Sequence, residues 1–228
     1  MAARSRVDPR LPGGRAPRVD PVRLGELDAG SPAQFGEDDA DLDGLSFTGL
    51  SYEDLTWGGR RRLGSSSVTG LTAASWRAPG AMFSGSVLHG LDVLRFAAAG
   101  SGWRQVEIRE SRLGSAELHD ATLRSVHFVG CRIGYLNLRD AHVTDLAFTD
   151  CVIDDLDLMR TQAARVALAG CRVGRLETTG ARLSEVDLRG ALLTDLSGLE
   201  GLRGTIISPD QLVALAPVLA DRLGITVE

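Results

Sequence analysis

The sequence predicts an all-β solenoid closed by a C-terminal helix, and two observations carry that expectation. From Ala81 to Leu193, one phase of a five-residue period is apolar at 22 of 23 positions, running from Phe83, Leu88, Val93 and Ala98 to Leu183, Leu188 and Leu193. The chain's apolar fraction would supply roughly 10 by chance. Only Thr178 breaks the phase. After Ile207 the pattern changes: Ser208-Pro209-Asp210-Gln211 combines an N-cap, a proline at the first helical position and a glutamine that completes a capping box. Leu212, Leu215, Ala216, Leu219 and Leu223 then follow helical spacing, Pro217 interrupts them, and Gly224 supplies a stop.

A period of five matches neither the 3.6 of a helix nor the 2.0 of a strand, so the chain must turn about once per repeat. The period begins near Ala40, with Leu42, Phe47, Tyr52 and Trp57 central; the next centre, Leu63, lies six residues on, which predicts a bulge or small loop near Gly58-Gly59-Arg60. The position two before each centre also looks inward. Where it is large, as at Trp76 and Phe96, the central partners Ala73, Ala78 and Ala98 are small, the exchange of volume that a close-packed core requires. The other three positions are mainly Gly, Asp, Glu, Arg, Ser and Thr, suited to turns and solvent.

Leu156-Asp157-Leu158, Val186-Asp187-Leu188, Leu136-Asn137-Leu138 and Ala116-Glu117-Leu118 resemble the consensus of the pentapeptide-repeat family, over roughly residues 40 to 206. The resemblance implies a right-handed quadrilateral β-helix with four pentapeptides per coil. Some members confer quinolone resistance or inhibit gyrase; they are similar to B-form DNA in width and charge, bind type II topoisomerases, and dimerise through a C-terminal helix.

Residues 1–36 hold six Arg, four acids and almost no large apolar side chain, which predicts a disordered tail, followed by the β-helix over 37–207 and the capping helix and tail over 208–228. All 25 basic residues are Arg, and the net charge of −5 argues against direct nucleic-acid binding. No apolar run reaches membrane-spanning length and the N-terminus lacks the apolar core of a signal peptide, so a cytoplasmic protein is expected.

The chemistry-bearing residues do not assemble into a catalytic pattern. Cys131, Cys151 and Cys171 recur every 20 residues and continue a column with Ser111 and Ala191, which reads as small core filler rather than a metal or redox ladder. His89, His119, His127 and His142 fall at outward or turn positions without a motif beside them, and Gly64-Ser65-Ser66-Ser67-Val68-Thr69-Gly70 lacks the lysine of a phosphate loop. No enzyme, cofactor or metal is expected. Charge on flat faces remains. At four repeats per coil, Glu117, Asn137, Asp157 and Glu177 share a column with Asp120 and Asp140 beside it, a candidate acidic protein-binding face on which only Arg139 and Arg160 oppose. The neighbouring face presents Arg112, Arg132, Arg172 and Arg175 against Asp154 and Asp155. The expected role is a non-catalytic scaffold that binds an unidentified protein through these faces; the alternative is a DNA mimic that binds a type II topoisomerase. Leu212, Leu215, Leu219 and Leu223 are candidates for capping the last coil or for joining two copies as a homodimer.

Overall fold

Each five-residue repeat puts one residue at a corner, and the computed structural model, which describes residues 16–37, 41–59 and 61–227, shows how the corners are made. Three columns adopt left-handed backbone: Gly100, Asp120, Asp140, Arg160 and Gly180; Gln105, Ser125, Asp145, Arg165 and Glu185; Glu110, Gly130, Asp150, Gly170 and Gly190. Gly and Asp bear this conformation at least cost, and its presence at Arg160 and Arg165 shows the ladder between coils overriding local preference. The fourth column, Arg95, Ser115, Tyr135, Asp155 and Arg175, turns without positive φ. There the backbones approach closely instead: a Cβ on Gly134 would lie 2.4 Å from the Gly114 carbonyl oxygen.

Four corners close a coil of 20 residues. Successive coils pair in parallel, Gly102–Arg109 with Thr122–Val129, His142–Thr149 and Gln162–Ala169, and Arg112–Glu117 with Arg132–Asn137, Val152–Asp157 and Arg172–Glu177. The result is a parallel β-solenoid of about nine turns. Residues pair with those 21 ahead in the first turn, as Leu42 with Leu63, and 20 ahead from Arg62 with Met82 onward. The extra residue predicted near Gly58 is thus where the register changes. In the last turn the offset falls to 19, Val186 pairing with Thr205.

Both inward positions fill the core. Trp76, Ala78 and Ala98 are fully buried, Phe96 and Ala73 nearly so, as the volume exchange requires. Aromatic rings concentrate in the first coils, with Phe83 stacked on Trp103 at 4.1 Å and Trp57 edge-on to Trp76 at 5.0 Å. Thr178 is also fully buried, and its hydroxyl donates to the Ser197 and Gly198 carbonyls at 3.1 and 2.8 Å, where the last coil leaves the regular ladder. The cysteines sit in the core column as free thiols; Cys151 Sγ lies 3.4 Å from the Cys131 amide and donates to the Thr149 carbonyl at 3.3 Å. Contact with Cys151 and burial push the Cys131 thiol up. Cys151, which Cys131 alone would lower, is pushed up to about 12 by Cys171 and burial, and Cys171 is held down by a thiol hydrogen bond with Cys151.

The expectation of disorder over residues 1–36 is corrected for residues 16–36; residues 1–15 lie outside the described residues. Pro32–Gly36 forms a short helix, α1, capped by Ser31 and Gln34, and its Phe35 is fully buried against Phe47, Trp57 and Trp76 at 4.8 to 5.7 Å between centroids. Arg61 follows the register change and is 4% exposed; it donates to the Gln34 and Phe35 carbonyls at 2.6 and 3.1 Å and lies 5.0 Å from the Trp57 ring, so the bulge supplies the residue that ties α1 down. Asp28–Ala29 adds a parallel strand to Leu45–Thr48. Further back, the Arg18 amide donates to Asp145 Oδ1 at 2.9 Å and Ser125 Oγ donates to the Arg18 carbonyl at 3.0 Å, so residues 18–28 run as a strap along several coils.

At the other end, Pro209–Arg222 forms a second helix, α2, that continues through Pro217. Gln211 closes its capping box and donates Nε2 to the Leu188 and Ala191 carbonyls at 2.6 and 2.7 Å, covering acceptors of the exposed solenoid edge.

Phe35→Ala is expected to cost about 3–5 kcal/mol in urea unfolding, because it empties the centre of the aromatic cluster. Gly134→Ala is expected to cost about 1–3 kcal/mol, through collision with the preceding coil rather than through φ; a change within a few tenths, measured the same way, contradicts the close approach.

Candidate interaction faces of the solenoid

The register that stacks the coils also decides which surface charges meet. Glu117, Asn137, Asp157 and Glu177 do stand in one column. Neutral or cationic neighbours occupy most of their acceptors. Asn137 Nδ2 donates to Glu117 Oε2 at 2.6 Å, and Glu177 Oε1 accepts the Thr179 amide at 2.7 Å. Asp157 is 2% exposed, taking Arg139 Nε at 2.6 Å, the Tyr135 hydroxyl at 3.1 Å and the Met159 amide at 3.0 Å. Its expected place on a recognition face is therefore corrected: an outward register position becomes buried when long neighbours from the preceding coil fold over it. Burial, and then the Asp157 carboxylate, push the Tyr135 phenol up to about 12.

Asp140 is exposed but held bidentately by Arg160 at 2.6 and 2.8 Å, and that bond keeps its carboxyl below the usual range. Asp120 is exposed at its corner and forms no ion pair among the described residues. The acidic face thus reduces to Asp120 with partly covered Glu117 and Glu177.

On the basic face, Arg112, Arg132 and Arg172 are exposed in one column, with Val152 between the second and third. Arg175 departs from the expectation because its guanidinium is bonded to Asp155. In the helix, Leu215 is 4% exposed and Leu219 packs on the core, whereas Leu212 and Leu223 are 52% and 66% exposed. The four leucines therefore split between capping and solvent.

Two polar clusters were not singled out by sequence. His127, at an outward position, has Nε2 2.9 Å from Thr149 Oγ1, and burial holds its imidazole below the ordinary value. Asp145 anchors the strap: burial would raise its carboxyl, but Arg165 at 2.6 and 2.9 Å and the Arg18 amide hold it low. The 20-residue spacing of Asp145 and Arg165 would have found that pair; nothing local signals Arg18.

Small cavities, among them two of about 20 and 10 Å³, lie against the apolar core, the larger of the two beside Leu138, Phe148, Ala163 and Leu183. These two have the size of a water or less, not of a substrate. Among the described residues no group of three or more His, Cys, Asp or Glu could hold a metal, and no helix is long and apolar enough to cross a membrane.

Depressed carboxyls at Asp140, Asp145 and Asp195 mean that their contribution to stability is complete above the unfolded carboxylate value and lost as pH falls through the lower folded values. On acidification followed by circular dichroism, stability is expected to fall first below about pH 6.5, where the unfolded chain protonates His127 more readily than the folded one, and the carboxylate loss to follow only below about pH 4; a His127→Gln chain that still loses stability between neutrality and about pH 4 contradicts the carboxylate pairings.

No protein-family profile and no curated protein matches the chain. Among solved structures it is similar to full-length QnrB1, described as a plasmid-mediated fluoroquinolone resistance protein, at 16% identity and TM-score 0.36, over 79% of this chain and 99% of that one. Two trypsin-treated variants of QnrB1 match at 18% identity, with TM-scores of 0.33 and 0.27, over 82% and 80% of this chain and 93% and 100% of theirs. By its own 20-residue coil, five-residue corners and doubly filled interior, the chain is a parallel β-solenoid built of five-residue repeats.

Proposed function

We propose that the chain is a non-catalytic scaffold that binds a partner protein through the charged faces of its solenoid. One observation carries this reading: the interior is filled, so the chemistry available to a ligand lies on faces where charge is sorted into paired and unpaired columns. Arginines such as Arg139, Arg160, Arg165 and Arg175 are matched to carboxylates, while Arg112, Arg132 and Arg172 stand exposed without an ion pair among the described residues. A DNA mimic needs an extended acidic face, and here Asp157 is enclosed and Asp140 neutralised, which favours the scaffold over a topoisomerase ligand.

Self-association is part of the proposal. Leu212, Ala216 and Leu223 lie on the outward side of α2, and Val213 and Leu192 are 76% and 64% exposed nearby, so a second copy is the natural cover for this apolar row.

The faces are tested separately. Partner capture by the full chain is expected to be lost in Arg112→Glu/Arg132→Glu and retained in Glu117→Lys/Glu177→Lys; a partner indifferent to both pairs sinks the scaffold reading. In a gyrase supercoiling assay, with and without quinolone, neither inhibition nor protection is expected, and dose-dependent inhibition would transfer the function to the DNA-mimic class. Leu212→Glu/Val213→Glu is expected to halve the mass seen by light scattering, and an unchanged mass removes the helix from the interface.

A further inference from the structure

Arg95, Arg112 and Arg132 lie in three successive coils, in the strands Asp92–Ala97, Arg112–Glu117 and Arg132–Asn137. All three are exposed, and none forms an ion pair among the described residues, although Asp92 precedes Arg112 in its own column. Arg112 and Arg132 are direct neighbours across the ladder, about 4.8 Å apart at the backbone, so their guanidinium groups repel unless an anion lies between them. Farther along the solenoid the same chemistry is satisfied internally, by Arg139 with Asp157, Arg160 with Asp140 and Arg175 with Asp155.

The surface beside these arginines is bare backbone. Gly114 and Gly134 leave two successive coils bare of side chains, and a Cβ built on either backbone would meet a carbonyl oxygen of the preceding coil at 2.4 Å. Leu94 continues the glycine column and is 69% exposed, an apolar group at the head of the trough. Exposed Asp154, one coil beyond Gly134, closes the other end with negative charge.

We propose that this trough holds an extended acidic segment of a partner protein, with an apolar side chain over Leu94 and carboxylates between Arg112 and Arg132. The inference rests on the scaffold reading above and names the chemistry of what it binds. From the Leu94 coil to the Arg132 coil is about 10 Å, so the recognised core is an apolar residue with acids within about three extended residues of it. The bare floor brings the ligand's own backbone close, which suits a peptide better than a nucleic acid. The chain's net charge of −5 also disfavours a polynucleotide.

The test is fluorescence anisotropy with the full chain and a labelled peptide of about ten residues, made of Glu, Gly and Ser with one Leu. Binding is expected to weaken with salt, to fall at least about tenfold in Arg112→Glu/Arg132→Glu, and to fall less in Leu94→Ser. It is expected to be unchanged in Arg104→Glu/Arg124→Glu, an equally stacked pair in the other sheet. Circular dichroism verifies folding, and Arg112→Gln/Arg132→Gln replaces the reversal if that chain does not fold. Equal binding of a peptide with Gln for Glu, equal loss in both reversal pairs, or tighter binding of a single-stranded oligonucleotide each overturns the proposal. If the peptide fails while Arg112→Glu/Arg132→Glu still abolishes partner capture, the acidic segment is wrong and the scaffold stands.

Discussion

The parallel hydrogen-bond ladder between coils is the interaction on which the rest of this molecule depends. Once residue i pairs with residue i + 20, every side chain meets its counterpart about 4.8 Å away and every column must be chemically tolerable along its length. Inward, that means volumes that interlock, which is why Trp76 and Phe96 are accompanied by alanines. Outward, it means that like charges either alternate with opposites, as in Asp145 with Arg165 and Asp155 with Arg175, or remain in conflict, as in Arg112 with Arg132. The same ladder imposes left-handed backbone on Arg160 and Arg165, residues that would not choose it alone.

Most of the fold was legible because it is periodic. The inward positions, the bulge before Leu63 and the C-terminal helix could all be read from spacing, since a column of apolar residues has no other physical explanation. What spacing cannot show is how far a side chain reaches. Asp157 occupies an outward position, yet Arg139 and Tyr135 bend over it, and Arg175 turns to Asp155 instead of to solvent. Rotamers and neighbours decide those outcomes.

The N-terminal cap exposes a different blind spot. Ser31-Pro32-Ala33-Gln34 has the same capping chemistry as Ser208-Pro209-Asp210-Gln211, down to the reciprocal bonds of serine and glutamine. The second announced a helix because 14 residues of apolar spacing follow it. The first begins only five helical residues, too few for a period, in a segment whose composition signals disorder. Both open ends of the solenoid are sealed by one device, and a motif read for its hydrogen bonds instead of for the periodicity behind it would have found both.

The strap changes what kind of object this is. A plain solenoid is one-dimensional: each coil touches only its neighbours, so damage can stay local and the ends can fray independently. Arg18, bonded to Ser125 and Asp145, sits 127 positions from Asp145 in sequence, while ten residues later the same segment has joined the first coil as Asp28–Ala29. That stitch couples the first coil to the middle of the stack. The first coil and the Asp145 corner, which a plain solenoid would leave independent, are thus joined by one covalent segment of ten residues.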